Sequence, residues 1–253
     1  MRNFVVYGLG ELGQLYGAAA LRAGLRVTPI TRASDPRDVL RGLPDDVPVL
    51  VAVGESALDE ALEVLGKARG GATILLQNEL FPSSYRKHEV TPTVLVPWLL
   101  KKRGTPLMVA RPSPVYGPQA TLVEELHRAL QLPSMTLPDE RALHQALVEK
   151  YAFILTINAL GALRDRTLNT WLQEDPHRVR ALARETAELG ALLCESEVDL
   201  AACERAVAEG MRALGTIAAR GRAAEARIVR ALANGERLGM ALPELSDARR
   251  AVV

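Results

Sequence analysis

Short apolar runs alternate with amphipathic segments through the first half of the chain, and this alternation constrains the fold more than any other feature. The runs have the length of β-strands and are rich in Val, Ile and Leu, as buried parallel strands are. They cover residues 3–8, 26–31, 47–53, 72–77, 93–98 and 107–112, with helices predicted at 11–24, 36–42 and 56–69. Strand, helix and strand in repeated order predict a parallel sheet with helices on both faces.

The pattern changes after residue 137, where helix-forming residues dominate and no strand is predicted. The segment 131–140, "QLPSMTLPDE", carries two prolines and is predicted to be the boundary. We therefore predict an α/β domain at 1–136 followed by an all-helical domain at 137–253. Candidate capping residues near the starts of these helices are Asp139, Asp175, Asp199 and Ser246.

Charge and composition exclude several classes of partner. The 253 residues include 31 basic and 30 acidic side chains, which gives no general grip on a polyanion, so neither nucleic acid nor a membrane surface is expected. Cys194 and Cys203 form no C-x-x-C pair, and the four histidines lack metal-ligand spacing. No signal-peptide layout and no apolar run of roughly 18 residues is evident. These features predict a soluble cytoplasmic protein without a metal.

The segment "GLGELG" follows the first predicted strand at once and leads into the first predicted helix. Gly8 permits a tight turn, Gly10 lets the backbone approach a pyrophosphate, and Gly13 allows close packing of helix and strand. The helix N-terminus adds N–H donors for the anion. We interpret the segment as the phosphate cradle of a Rossmann-type dinucleotide site; the alternative is a structural glycine cluster without ligand. The predicted cofactor-binding residues here are Gly8, Leu9, Gly10, Glu11, Leu12 and Gly13.

The end of the second predicted strand distinguishes the two nicotinamide dinucleotides. Sites for NAD usually place an acidic residue there, against the ribose 2′-hydroxyl. This chain has Thr31 and Arg32 instead, and Asp35 lies further along. A guanidinium suits a 2′-phosphate, so Arg32 predicts NADP(H) as the cofactor. The alternative is a solvated surface arginine.

The N-terminal string "GLGELGQLYGAAALRAGLRVTPITR" resembles the opening of the ketopantoate reductase (2-dehydropantoate 2-reductase) family. The resemblance covers most of the chain, and this chain looks like a divergent and shortened member. Further matching segments are "VLVAVGES" (49–56), "LLQNEL" (75–80), "VEKYAFILTINALGAL" (148–163), "RAAEARIV" (222–229) and "ERLGMALPEL" (236–245). The resemblance implies a Rossmann domain followed by a helical domain, and NADPH-dependent reduction of ketopantoate to pantoate in pantothenate biosynthesis.

The resemblance also implies roles for individual residues. Asn78 matches an asparagine beside the cofactor, and Lys150 matches the lysine that protonates the keto oxygen of the substrate. Asn158, eight residues later, matches a substrate-binding asparagine. Glu225 matches a glutamate that binds substrate, although an ungapped alignment from "GMALP" places Ala223 there.

Lys150 also fits this chemistry on physical grounds. Reduction of a keto acid needs a proton donor, and burial lowers the pKa of a lysine towards the working pH. Lys150 stands among apolar residues, and a step of eight residues returns to within about 80° on a helix, so Lys150 and Asn158 can line one cleft. The alternative is a lysine whose ammonium reaches solvent at the helix surface.

Three departures from the family pattern favour other functions. Gly54 stands where the family commonly has a lysine near the adenosine phosphate, Glu79 where it has glycine, and Ile154 where many members have asparagine. The alternatives are a non-catalytic NADP-binding paralogue or redox sensor, and a related dehydrogenase acting on another small keto or hydroxy acid. The apolar faces of the helical half permit a homodimer under each reading.

Overall fold

The computed structural model describes residues 2–101, 104, 106–219 and 223–251. The chain forms two compact units. The first comprises the chain up to Met108 together with Pro112–Leu143, and the second comprises Val109–Arg111 with the chain from His144 onwards. The first unit thus extends past residue 136, where the sequence predicted its end, into the start of a long helix.

The first unit is built on a seven-stranded sheet, counted over the described residues, with strand order β2-β1-β3-β4-β5-β8-β9. Neighbouring strands run parallel except β5 and β8, which are antiparallel. Two further short strands, β6 and β7, form a separate sheet. The strands are β1 (Asn3–Tyr7), β2 (Arg26–Ile30), β3 (Val49–Val51), β4 (Thr73–Leu75), β5 (Thr93–Leu95), β6 (Leu99–Leu100), β7 (Met108–Val109), β8 (Ser113–Tyr116) and β9 (Ser134–Thr136).

Helices cover this sheet and make up nearly all of the second unit. In the first unit, α1 packs against β1 and β2, and the fully buried Phe4, Val6 and Tyr16 belong to its core. Buried Tyr16 also shares a 2.8 Å hydrogen bond with His127 Nε2. The helices are α1 (Glu11–Arg22), α2 (Pro36–Arg41), α3 (Leu58–Leu65), α4 (Pro82–Arg86), α5 (Ala120–Ala129), α6 (Glu140–Leu163), α7 (Leu168–Glu174), α8 (Pro176–Cys194), α9 (Leu200–Ala213), α10 (Ala224–Leu238) and α11 (Pro243–Arg250).

The end of the sheet differs from the sequence pattern in two places. The sheet strand is β8, which begins at Ser113, immediately after the run 107–112 that was predicted to be a strand; only β7 forms within that run. The segment 131–140, predicted as the domain boundary, contains β9. This strand lies at the edge of the sheet beside β8, and Met135 is 52% exposed. An edge strand needs no continuous apolar run, so its sequence resembles that of a loop.

The predicted caps of the helices hold in three of four cases. Asp139, Asp175 and Asp199 each accept a hydrogen bond from a backbone N–H in the first turn of α6, α8 and α9. The fourth was wrong, because α11 begins at Pro243 and Ser246 lies within it. The buried carboxylate of Glu185 instead accepts the N–H groups of Glu244 and Leu245, both at 2.9 Å. A cap supplied by a different helix leaves no local sequence signal.

Helix α6 is the central element of the second unit. Gly190 of α8 lies against it: a Cβ on that glycine would sit 3.1 Å from atoms of both Tyr151 and Val148. Helix α6 is the one helix in the described part of the chain that is long and apolar enough to cross a membrane, yet 72% of its apolar window is buried within the protein. Such burial is typical of a core helix. The sequence analysis found no apolar run of roughly 18 residues, whereas this helix contains one.

Candidate functional site

The turn between β1 and α1 depends on two of its glycines for its shape. Gly8 has a φ of 98°, and a Cβ there would lie 2.9 Å from the Ala52 carbonyl oxygen. A Cβ on Gly13 would lie 1.9 Å from the Gly8 carbonyl oxygen. Only glycine therefore fits at either position.

Gly10 differs from these two glycines. It precedes α1 with an ordinary φ of −68°, and no atom lies within 4 Å of the place that its Cβ would take. The fold itself thus does not require glycine here, whereas a ligand that approaches the backbone closely does. The Gln14 side chain donates to the Leu9 carbonyl oxygen at 2.9 Å and fixes the loop beside it. The turn and the 12-residue α1 together suit a phosphate group at the helix N-terminus.

A cavity of about 580 Å³ opens at this helix N-terminus. Its lining includes Gly10, Glu11 and Gln14 of the turn and of α1, together with Lys101, which follows β6. Among the described residues, the lining therefore includes the carboxylate of Glu11 and the ammonium group of Lys101. Lys101 had no role in the sequence analysis, because nothing local indicates that the chain after β6 reaches α1.

The ends of β3 and β4 lie at the same edge of the sheet as the glycine turn. Gln77 joins these two ends, since its amide donates to the carbonyl oxygens of Val51 at 2.8 Å and Val53 at 3.3 Å. Asn78 and Glu79 follow in a turn and are both half-buried. The sequence analysis did not single out Gln77. The feature that could have indicated it is a polar amide directly after the apolar run 72–76.

Gly54 follows β3 and begins a single turn of 3-10 helix at Glu55–Ala57. No atom lies within 4 Å of the place that its Cβ would take, so packing would accept a larger residue here. The fold itself would thus accommodate the lysine that the family commonly has at this position.

Arg32 lies exposed just beyond the end of β2. The loop that carries it is folded by Ser34, whose hydroxyl accepts the Thr31 N–H at 3.2 Å. Asp35 caps α2 by accepting the Arg37 N–H at 2.8 Å. The acidic group nearest to the end of β2 in sequence thus serves the helix, while the guanidinium of Arg32 stands exposed.

Lys150 is buried in the second unit, with 4% of its surface exposed. Its Nζ lies 5.5 Å from the centroid of the Phe153 ring. Since Lys150 is about 160° from Val148 around α6, it projects from the side opposite α8. The pKa of its ammonium is lowered from 10.5 to about 7, chiefly by burial and secondly by the positive charge of Arg227 on α10. These are the two physical conditions under which a lysine exchanges protons at neutral pH.

Asn158 lies two turns after Lys150 on the same helix and is 1% exposed. Its Nδ2 donates to the Ile154 carbonyl oxygen at 2.7 Å, one turn earlier. A buried amide needs such partners, and this bond fixes the orientation of the side chain.

Glu225 lies on α10 and is exposed. Its carboxylate pairs with Arg249 of α11 at 2.6 Å. Arg227, two residues later, lies about 160° away around α10. Helix α10 thus directs Arg227 towards Lys150 and Glu225 towards α11. Sequence reasoning did not single out Arg227, because an arginine in an arginine-rich helix carries no distinguishing signal.

No protein-family model matches this sequence, and no curated protein is significantly similar to it. Solved structures do match over nearly the whole chain. A ketopantoate reductase of the PanE/ApbA family from Ralstonia eutropha JMP134 superposes with a TM-score of 0.68 at 17% identity, covering 99% of this chain and 97% of that one. This chain has the ketopantoate reductase fold.

Other proteins with this fold show its range. The dimeric ketopantoate reductase of Staphylococcus aureus has a TM-score of 0.62 at 16% identity, with 99% of this chain and 97% of that one covered. D-mandelate dehydrogenase, in complex with NADH and anilino(oxo)acetate, has a TM-score of 0.71 at 12% identity, with coverages of 99% and 96%. The predicted fold class, a sheet domain followed by a helical domain, is thereby confirmed as the ketopantoate reductase fold. D-mandelate dehydrogenase shows that another dehydrogenase has the same fold.

Metal and thiol chemistry receive no support from the geometry of this fold. Within the ranges that the structure describes, no three His, Cys, Asp or Glu side chains are grouped to hold a metal ion. Cys194 and Cys203 are both buried, and burial raises the pKa of the Cys203 thiol to about 12. A thiol with so high a pKa is a poor nucleophile.

Proposed function

We propose that this chain is a divergent ketopantoate reductase, which reduces a 2-keto acid with NADPH; ketopantoate, which yields pantoate, is the leading substrate. The observation that carries the proposal is Lys150, a buried lysine whose pKa falls to about 7 in a chain with this fold. Buried ionisable groups with strongly altered pKa values concentrate at functional sites.

The residues of the first unit fit a nicotinamide dinucleotide. The open position at Gly10 and the N–H groups of α1 would receive the pyrophosphate, and Asn78 would lie beside the cofactor. The exposed Arg32 would pair with a 2′-phosphate, which favours NADPH. When bound, the dinucleotide supplies the hydride for the reduction. The full proposed set is Gly8, Leu9, Gly10, Glu11, Leu12, Gly13, Arg32 and Asn78, in which Glu11 would contribute its backbone N–H and not its carboxylate.

Lys150 would act as the general acid. With a pKa near 7, a substantial fraction of its side chains carries the proton at neutral pH, and the proton leaves readily. Lys150 would donate it to the keto oxygen as negative charge develops there. The charge of Arg227 beside Lys150 also suits an anionic substrate, because the carboxylate of a keto acid offsets the repulsion between the two cations.

Asn158 and Glu225 would orient the substrate. Asn158 lies buried on the same helix as Lys150, and its amide carries both donors and an acceptor for a keto acid. Glu225 would have to leave its ion pair with Arg249 to reach a ligand. Exposed ion pairs of this kind contribute at most about 1 kcal/mol to stability, so breaking the pair to bind a ligand costs little free energy.

Two observations favour other functions. Glu79 places a half-buried carboxylate directly after Asn78, where the family has glycine, and this favours a non-catalytic NADP-binding paralogue or a redox sensor. The similarity to D-mandelate dehydrogenase favours a dehydrogenase for another small keto or hydroxy acid. Lys150 would serve as the proton-transferring group in the latter case as well.

Nucleotide binding and turnover test the proposal in sequence. NADPH at 100 times its dissociation constant should stabilise the protein by about 2.7 kcal/mol in thermal unfolding. Arg32→Ala should weaken the binding of NADPH while leaving that of NADH unchanged. Oxidation of NADPH should then follow on addition of ketopantoate or another 2-keto acid from a panel. Binding without turnover on any of them would support the non-catalytic alternative.

Homodimerisation and a cytoplasmic location are further parts of this proposal. The Staphylococcus aureus enzyme with the same fold is dimeric. Light scattering coupled to size-exclusion chromatography would give the mass of the particle directly, to be compared with twice the 27.4 kDa of the chain.

A further inference from the structure

The cavity at the N-terminus of α1 contains a charge arrangement that the glycine motif does not explain. Glu11 lies in the first turn of α1, where the helix N-terminus stabilises a carboxylate. A phosphate group bound at this helix end would be repelled by that carboxylate. Lys101 lines the same cavity from the segment after β6 and brings a positive charge to it.

We propose that Lys101 binds the pyrophosphate of the nicotinamide dinucleotide, offsetting the repulsion by Glu11. This inference rests on the proposed function, because it concerns the same nucleotide. Lys101 is half-buried and lines one cavity with Gly10, whose Cβ position is open, so that the backbone there is accessible to a ligand. An ammonium group at this place forms charge-assisted hydrogen bonds with phosphate oxygens.

The volume of the cavity is consistent with this role. At about 580 Å³ it falls within the range of small-molecule sites, so it has room for a diphosphate and its neighbouring riboses. The glycine turn supplies backbone N–H donors without net charge, and Arg32 lies beyond the end of a different strand, β2. Among the described residues that line this cavity, Lys101 would therefore supply the cationic group for the bridging phosphates.

Titration of NADPH against a set of variants tests the role of Lys101. Lys101→Met keeps the length of the side chain and removes its charge, and we expect the dissociation constant to rise about tenfold, which corresponds to about 1.4 kcal/mol. Lys67→Met is the matched control, because Lys67 is an exposed lysine paired with Glu89. It should bind NADPH like the wild type. The difference between the two variants should shrink as the salt concentration rises.

Two further measurements separate a phosphate contact from a general effect. Glu11→Gln should tighten the binding of NADPH, and the double variant Glu11→Gln with Lys101→Met should bind closer to the wild type than Lys101→Met does. Adenosine 2′-monophosphate, which lacks the pyrophosphate, should bind the wild type and Lys101→Met equally well. An equal loss of affinity for both ligands would overturn the assignment of Lys101 to the pyrophosphate.

The outcomes for this inference and for the proposed function are distinct. If the wild type binds NADPH and Lys101→Met binds it just as tightly, the role of Lys101 is refuted and the proposed function stands. If the wild type binds neither NADPH nor NADH, the proposed function fails, and the inference fails with it. An unchanged melting temperature of ligand-free Lys101→Met shows that a loss of affinity does not come from unfolding.

Discussion

At the scale of the single residue, the burial of Lys150 favours its proposed chemistry but lowers the stability of the fold. Burial, assisted by the charge of Arg227, lowers its pKa to about 7, which is useful for proton transfer at neutral pH. The same burial makes the charged side chain costly to the folded state. A group retained at such a cost is expected where it has a function.

Lys150→Met should therefore stabilise the fold in a pH-dependent way. Below about pH 7 both folded and unfolded wild type carry the charge, and the full burial cost applies. Between about pH 7 and pH 10.5 the folded state loses its proton first, so the wild type becomes more stable as the pH rises. The variant should thus exceed the wild type by a few kcal/mol at low pH, since each pKa unit corresponds to about 1.4 kcal/mol.

Denaturant unfolding of both proteins at about pH 6 and about pH 9 measures this difference. The stabilisation by Lys150→Met should be larger at the lower pH. A variant that is less stable than the wild type at both values would show that the ammonium is well solvated or well paired in the folded protein.

Arg227 is predicted to help set the pKa of Lys150. Arg227→Gln removes a neighbouring positive charge, so the pKa of Lys150 should rise. As the general acid works only when protonated, kcat/KM should fall at high pH, and the variant should move this fall to higher pH. Arg237→Gln, at the exposed far end of the same helix, should leave the profile unchanged. Coincident profiles for Arg227→Gln and the wild type would contradict the coupling.

At the scale of the element, the turn from β1 to α1 separates what the fold needs from what a ligand needs. Gly8 and Gly13 are fixed by backbone contacts, whereas Gly10 faces open space. The sequence motif marks all three glycines alike. Only the structure shows which of them the protein requires for its own packing.

Gly10→Ala and Gly13→Ala should consequently behave in opposite ways. Gly10→Ala should fold with a nearly unchanged melting temperature but bind NADPH at least about tenfold more weakly, because its methyl group occupies the approach of the pyrophosphate. Gly13→Ala should lose stability, since its Cβ would lie 1.9 Å from the Gly8 carbonyl oxygen. Thermal unfolding without ligand and NADPH titration measure the two effects. Normal affinity of Gly10→Ala would argue against a nucleotide at this turn.

Elements with a clear pattern in their own sequence were predicted, and elements that depend on distant residues were not. The buried strands β1, β3, β4 and β5 and the long α6 have apolar runs or helical periodicity, which the sequence displays directly. The edge strand β9 lacks such a run because one of its sides has no neighbouring strand. The start of α11 was misplaced because Glu185, more than fifty residues earlier, caps it.

At the scale of the whole molecule, the order of strands and helices and the family resemblance were sufficient to predict the ketopantoate reductase fold. The candidate site was only partly predictable. Its motif residues stand in the sequence, and Lys150 was singled out by the resemblance of the segment 148–163 to the family's helix. Lys101 and Gln77 of the first unit and Arg227 of the second were not singled out, because their surroundings depend on packing between segments that are distant in the chain.

The central claim is that Lys150 donates the proton in an NADPH-dependent reduction, and its most direct test is the rate of keto acid reduction by the wild type and by Lys150→Met. We predict that NADPH binds both proteins equally and that kcat for ketopantoate, or for the best substrate of the panel, falls at least about a hundredfold in the variant. A variant that folds, binds NADPH and reduces the substrate within a few-fold of the wild-type rate would contradict the account.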